Sequence, residues 1–466
     1  MSIGIRRPWQ AVDYVEVARL FPPPPEYFES EWYVEPDDID RVKLGRLRHR
    51  ADRAFRVPFF RRRWSAAGFD PRDLRQLSDL IGVPIYTVDD LRRSIEEHPP
   101  YGDYQGVTVD GILREPLRIH MSGGTTGVPR PTLYTEWDRA ATGVRAARGM
   151  YLQGLRPGDV VLNSWAYALH NGAFAFDEAL YRWLNCLVLT TGTTTTTRKQ
   201  VELAREYGAA AILTTGDYLL RIADEVRSMG LDPRADLALR SLATNIGNEE
   251  ELEKVFGIPA YATYGFHEVG YVAAECPARA GLHIFEDAFH VEVVDPETGE
   301  AVPDGETGSL VITEFYKTGS PQFRYNIMDL SYLYPREQCA CGSWLRRMGK
   351  FAGRADNMVK LRGVNVWPEA VGRVATAVEG ATTEYFVRAI RVDGHDELVV
   401  SVASDRHPSQ WEMLSQSIAE RLHQQLGVRI TAVVVGPGDL DALTEVSSSP
   451  KAKRFRDERR SGGPTA

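Results

Sequence analysis

Hydrophobic and polar positions divide the chain into stretches of different texture. From Asp37, apolar residues return at helical spacing, with Leu44, Leu47, Ala51 and Phe55 on one face and Arg46, Arg48, Arg50 and Arg53 largely off it. That spacing predicts a helix whose arginines form a solvated face. Residues 1–37 are Pro-rich and aromatic, and the run Pro22-Pro23-Pro24-Pro25 cannot be helical, so they read as a wrapping arm. A short helix is predicted over Asp89–Ile95. Further on, apolar strand-like runs at Val160–Ser164, Cys186–Thr190 and Ala210–Thr215 are separated by helical windows at Asp138–Leu152, Gly172–Leu184, Arg198–Tyr207 and Tyr218–Met229. Such alternation predicts parallel strands with crossover helices, an α/β core.

Between Asp287 and Phe315 the pattern changes to strands joined by turns, at His290–Val294 and Ser309–Glu314, which predicts a small β subdomain. A further region carries strand patterns near Val359–Leu361, Tyr385–Val392, Glu397–Ala403 and Arg429–Val435, with helices near Pro368–Val378 and Pro408–Leu426. In the latter helix Trp411, Leu414, Ile418 and Leu422 share one face. The expected organisation is a large N-terminal domain over residues 1–353 and a small α+β domain over 354–466. Ser447 to Ala466 is Ser-, Gly- and Arg/Lys-rich and reads as a tail.

Composition narrows the function classes. Of 466 residues, 43% are hydrophobic and 26% charged, and 55 Lys and Arg against 64 Asp and Glu give a net charge of -9. That balance gives no footprint for nucleic acid or an anionic membrane. Apolar runs fall short of the roughly 18 residues a membrane span needs, and Arg6-Arg7 precedes Pro8, Trp9 and Gln10 rather than an apolar signal core. A cytoplasmic protein with a small-molecule partner is expected. Four cysteines are too few for a disulfide scaffold.

The candidate chemistry begins at Met121-Ser122-Gly123-Gly124-Thr125-Thr126-Gly127-Val128-Pro129-Arg130. Its glycines let the backbone approach an anion closely, and Ser122, Thr125 and Thr126 add hydroxyl donors, so it reads as a phosphate cradle. It is not a Walker loop, because no Gly-Lys-Ser/Thr follows. Later come Tyr264-Gly265-Phe266-His267-Glu268, Arg324-Tyr325-Asn326-Ile327-Met328-Asp329, Gly353-Arg354-Ala355-Asp356 and Ser449-Pro450-Lys451-Ala452-Lys453-Arg454. With these motifs in this order, and with Val364-Asn365-Val366-Trp367-Pro368, residues 40–458 resemble the adenylate-forming superfamily and, within it, the phenylacetate-CoA ligase-like family.

The resemblance implies ATP-dependent activation of an aromatic carboxylic acid to an acyl-adenylate, with transfer to coenzyme A. Such chemistry needs positioning and neutralisation of developing charge rather than a general base. It further implies that Ser122, Gly123, Gly124, Thr125, Thr126 and Gly127 hold phosphates, that Gly247, Tyr264 and Gly265 line the nucleotide site, and that Glu268 serves Mg²⁺. Asp329 would accept the ribose hydroxyls, Arg354 would contact the nucleotide, Asp356 would be the domain hinge, and Lys451 would be the catalytic lysine, with Lys453 as the alternative. Departures are Gly123 for a serine, His267 for a Ser or Thr, Asn326-Ile327-Met328 before Asp329, and Ala262 near the adenine position. His267 could donate to phosphate, titrating near neutrality.

Cys276, His283, Cys339 and Cys341 form a Cys₃His set suited to closed tetrahedral Zn²⁺, and the resemblance implies a structural zinc there. Substrate choice is expected in Trp165–Phe176, through Trp165, Tyr167, His170, Asn171 and Phe174. Aromatic lining favours a flat acyl group, and a desolvated His170 and Asn171 would ask for hydroxyl or amino substituents. Transfer to a carrier protein or to an amine or hydroxyl acceptor, a non-catalytic nucleotide-binding role, and a homodimer remain open alternatives.

Overall fold

The computed structural model describes residues 12–30, 36–107, 115–122, 129–244, 248–361, 364–392, 395–445 and 452–459. The chain forms two compact units, Met1–Ile327 with Ser331–Lys350, and Met328–Leu330 with Phe351–Ala466.

In the first unit the expected α/β alternation is present. Strand β3 (Val160–Asn163) pairs in parallel with β4 (Leu187–Leu189) on one side and β5 (Ala211–Leu213) on the other. The crossovers are helical, Thr197–Glu206 and Gly216–Ser228, and their apolar faces bury Val201, Ala204, Leu219, Ile222 and Val226 against Leu162 and Ile212. The window expected to be one helix from Gly172 to Leu184 is an α-helix only to Glu178 and continues as a wider turn over Ala179–Trp183. Strand β6 (Leu242–Thr244) runs parallel to β7 (Ala260–Phe266), which pairs antiparallel with β8 (Gly270–Glu275), followed by β9 (Leu282–Ile284). The β subdomain contains the antiparallel pair β10 (Phe289–Val294) and β11 (Gly308–Glu314).

Three features differ from the sequence reading. The segment before residue 37 contains helix α1 (Tyr14–Leu20), and Val17, Phe21 and Tyr27 are fully buried, so the arm is part of the core. Second, the arginines of α2 (Pro36–Ala54) are only in part a solvated face. Arg50 donates to Phe315 O at 2.7 Å and Arg46 to Asp287 O and Leu20 O, whereas Arg53 and Arg48, which donates to Leu74 O at 2.6 Å, stay exposed. Packing against carbonyl-rich loops converts cations on an apparently polar face into bridges that satisfy buried acceptors.

The third difference is charge inside helix α3 (Glu136–Leu152), buried along most of its length. Arg148 Nη1 donates to both carboxylate oxygens of Asp287 at 2.9 and 2.8 Å, its Nε donates to Pro22 O, and its guanidinium stacks on Tyr27. Arg145 lies 3.5 Å over the Tyr316 ring. Nearby, Glu286 receives Lys43 at 2.9 Å and Arg336 at 2.7 Å; burial opposes its charge, but these two cations hold its carboxyl down to about 2.

The second unit is built on β12 (Tyr385–Val392) and β13 (His395–Ala403), antiparallel, with β14 (Thr431–Val435) parallel to β13. Helix α4 (Trp411–Leu426) buries Leu414, Ile418 and Leu422 on this sheet, as its spacing predicted. The basic tail departs from expectation. Phe455–Asp457 forms a fourth strand, β15, parallel to β12, and Phe455 packs on the core. Three residues carry no readable period, so only the sheet edge identifies them.

Among the described residues, no helix is long and apolar enough to cross a membrane. Because Arg148 and Asp287 are both fully buried, Asp287→Ala should lower the unfolding free energy by about 3–5 kcal/mol. Arg148→Met with Asp287→Leu should recover most of that loss. Urea denaturation of the single and double variants checks both outcomes.

Candidate active site

Two paired strands flank the Gly-rich segment. Strands Leu117–Met121 and Pro131–Thr135 pair antiparallel from Leu117↔Thr135 to Met121↔Pro131. At the loop's neck, Ser122 N donates to Arg130 O and Arg130 N donates to Ser122 Oγ, both at 3.3 Å. Gly123, Gly124, Thr125, Thr126 and Gly127 lie outside the described residues, as do Gly247 and Lys451. Thr135 then caps α3 through a reciprocal box with Asp138.

Asp138 fastens a second loop to this hairpin. Fully buried, it accepts from Thr318 N at 2.7 Å, Thr318 Oγ1 at 3.0 Å and Gly319 N at 2.8 Å. A Cβ on Gly319 would sit 2.3 Å from Leu133 O, so only glycine permits that approach.

The motif Tyr264-Gly265-Phe266-His267-Glu268 closes the β7–β8 hairpin. Its register shifts between Tyr264 and Gly265, and a Cβ on Gly265 would meet Gly270 O at 2.3 Å, so this glycine is required sterically. Glu268 is 3% exposed and pairs with Arg130 Nη2 at 2.9 Å. Burial alone would raise its pKa, yet Arg130 and neighbouring His267 keep it below the ordinary carboxylate value. Lys317 Nζ donates to Glu268 O at 2.6 Å and lies 3.7 Å over the Tyr134 ring, while Tyr134 OH donates to His267 O at 2.8 Å. Arg130, Tyr134 and Lys317 therefore hold the Glu268 turn against the Gly-rich hairpin.

His267 differs from expectation. Both ring nitrogens are buried without a hydrogen-bond partner among the described residues. Burial lowers its pKa to about 4, so it stays neutral through the physiological range rather than titrating near neutrality. His120, from the first strand of the Gly-rich hairpin, packs beside it with ring centroids 6.3 Å apart.

The Trp165–Phe176 segment brings its aromatic side chains together. Trp165 meets His170 and Phe176 at centroid separations of 6.1 and 5.6 Å, and Tyr167 meets Phe174 at 5.4 Å. Trp165, Phe176, Met150, Thr263 and Tyr271 border a small cavity. Tyr167 OH is held by Asn163 Nδ2 at 2.9 Å and faces Asp177 at 3.3 Å. His170 Nδ1 accepts from Gly172 N at 3.3 Å, so part of the demand expected to fall on a substrate is met inside its own turn. Asn171 is buried at the helix start and makes no side-chain cap.

In the second unit, Arg354 joins the two carboxylates singled out in sequence. It donates to Asp329 Oδ1 at 3.0 Å and, in fork geometry, to Asp356 at 2.8 and 2.7 Å. Lys453, the alternative catalytic lysine, pairs with Glu445.

The Cys₃His set is assembled in the first unit. The ligand atoms of Cys276, His283, Cys339 and Cys341 all lie within 4.8 Å of one another. Tetrahedral zinc, with bonds of about 2.3 Å to sulfur and about 2.0 Å to nitrogen, requires edges of roughly 3.5–3.8 Å. Cys276 Sγ is 3.8 Å from Cys339 Sγ and Cys341 Sγ is 3.4 Å from His283 Nε2, so the donor set fits that ion.

Sequence reasoning missed Lys317, Tyr134 and His120. Lys317 follows the apolar pair Phe315-Tyr316, and its flanking cation was the available signal; Tyr134 and His120 carried none beyond strand alternation.

The AMP-binding enzyme C-terminal domain family matches residues 363–459. The phenylacetate-coenzyme A ligase of Aromatoleum evansii is 32% identical over 443 residues, covering 91% of this chain and 95% of the relative. Its counterpart from Thermus thermophilus is 34% identical, covering 80% and 84%. A solved 2-hydroxyisobutyryl-CoA ligase in complex with 2-HIB-AMP, in the postadenylation state, superposes with a TM-score of 0.81 at 26% identity, over 92% of each chain. The fold and these relatives define an adenylate-forming acid-thiol ligase of the aryl-CoA ligase type, which makes an acyl-adenylate and then a CoA thioester. The chain belongs to the phenylacetate-CoA ligase-like family.

Burial lowers the Lys317 pKa to about 8 from 10.5, against the opposing pull of Asp138, Glu314 and Glu268. Between those values the unfolded chain binds a proton that the folded one has lost, so this lysine makes stability rise as pH increases. Lys317→Met should remove that component of the slope between pH 8 and 10.5, measured by urea unfolding at a series of pH values.

Proposed function

We propose that the protein activates an aromatic carboxylic acid bearing a hydroxyl or amino substituent, using ATP, and passes it to coenzyme A. The observation that carries this reading is the 2.9 Å Arg130–Glu268 pair, which joins the neck of the phosphate-type loop to the motif carboxylate. The cluster of Trp165, Tyr167, Phe174 and Phe176 favours a flat acyl group.

Roles follow from position and resemblance. Ser122 and the Gly123–Gly127 backbone cradle phosphate, with Gly247, Tyr264 and Gly265 on the nucleotide side. Bound Mg²⁺ supplies neutralisation of phosphate charge. Glu268, paired with Arg130, would offer it one carboxylate. His267, neutral at physiological pH, offers an imidazole N–H to phosphate. Asp329, oriented by Arg354, accepts ribose hydroxyls, and Asp356 is the pivot. Lys451 neutralises charge during adenylation, a role for which Lys453 is less suited because Glu445 engages it. Cys276, His283, Cys339 and Cys341 hold a structural zinc, and the protein is cytoplasmic.

ATP–pyrophosphate exchange with a panel of aryl acids, followed by product analysis with CoA, tests the reading. Exchange and CoA thioester are expected with at least one acid; absence of exchange with every acid refutes it. Lys451→Ala should abolish exchange while Lys453→Ala retains it, and the reverse pattern would reassign the lysine. Metal analysis should give about one zinc per chain, and Cys339→Ser should lose the metal and lower the thermal midpoint.

A further inference from the structure

One incompletely satisfied side chain beside the proposed acyl site lies outside every motif singled out above. His120 is 1% exposed, on the inward face of the first strand of the Gly-rich hairpin. Its Nδ1 lies 3.2 Å from Leu169 O. A carbonyl oxygen only accepts, so Nδ1 carries the proton and Nε2 is left as a bare lone pair. That Nε2 is buried and has no hydrogen-bond partner among the described residues.

The surroundings do not relieve it. The ring faces Tyr134, Phe174 and His267 at centroid separations of 5.3, 5.4 and 6.3 Å. Tyr134 has spent its hydroxyl proton on His267 O. Burial and neighbouring His267 push His120 down to about 3, so protonation does not turn Nε2 into a donor at neutral pH. Arg118, on the same strand face two residues earlier, points its guanidinium at the Phe174 ring, 4.8 Å from the centroid, rather than at His120. A buried acceptor without a donor is a standing cost that a ligand of the right chemistry removes.

We propose that His120 determines acid specificity by accepting, at Nε2, a hydrogen bond from a neutral hydroxyl or amino group on the aromatic acid. Charged oxygens of the substrates are excluded by sign. A carboxylate or phosphate oxygen brings lone pairs only and would face the Nε2 lone pair with repulsion, whereas an O–H or N–H group completes the bond. Phe174 and Tyr134 flank the imidazole with flat apolar surface, so the donor is carried by a planar ring. This rests on the reading of the chain as an aryl-acid ligase and assigns to His120 the substituent recognition that His170, engaged with Gly172 N, supplies less well.

The test compares exchange rates for benzoate with those for its ortho-, meta- and para-hydroxy and amino derivatives, in the full-length protein and in His120→Phe and His120→Gln. The wild type should favour at least one substituted acid. His120→Phe keeps a flat ring but removes the acceptor, and should cut the substituted-to-unsubstituted ratio of kcat/KM by about tenfold or more. His120→Gln presents an amide oxygen near the Nε2 position and should restore much of the ratio. Because each ratio is internal to one variant, a general loss of folded enzyme cancels. Where turnover is too slow, calorimetric binding of the same acid pair supplies the ratio. A ratio unchanged in His120→Phe, or a wild type that prefers benzoate, overturns the proposal while leaving acid activation intact. Failure of the wild type to exchange with any acid would overturn the ligase reading and this inference together.

Discussion

Asp138 is the interaction on which the active-site region depends. It is fully buried in the first turn of α3, and its carboxylate is consumed by Thr135 N, Thr318 N and Oγ1, and Gly319 N. A buried carboxylate survives only when such donors surround it. The loop it captures carries Lys317, and Lys317 in turn holds Glu268 O. One helix N-terminus thus ties the phosphate-type hairpin and the Glu268 turn into a single framework. The same helix, one face round, carries Arg148, whose bond to Asp287 anchors the start of the β subdomain.

Burial of charge is the recurring device of the first unit. Lys43 and Arg336 on Glu286, Arg148 on Asp287, and Arg324 on Glu292 each close a contact distant in sequence. A mismatched partner costs far more than an apolar mismatch, so such pairs favour one register over its neighbours. The Cys₃His set likewise draws together the end of β8, β9 and the 339–341 loop.

Part of the candidate site's arrangement was foreshadowed by motif order. Motif order identified Glu268, Asp329, Arg354 and Asp356, and the structure brings Arg354 between the two aspartates and Glu268 to the neck of the Gly-rich hairpin. Lys317 and Tyr134 were illegible because they act through partners 49 and 133 residues away, and His120 because it acts through the absence of one. Arg46 and Arg50 of α2 were misread for the same reason, since a helical period shows which residues share a face but not what covers that face.

The sequence by itself determined the α/β class, the helical faces of the crossovers and of α4, and the family, because these depend on local period and motif order. Only the tertiary structure decided which polar residues are buried, which of them are satisfied, and that Phe455–Asp457 completes a sheet. Those outcomes depend on what packs opposite a residue, and in a chain of this length the opposing group is seldom a neighbour in sequence.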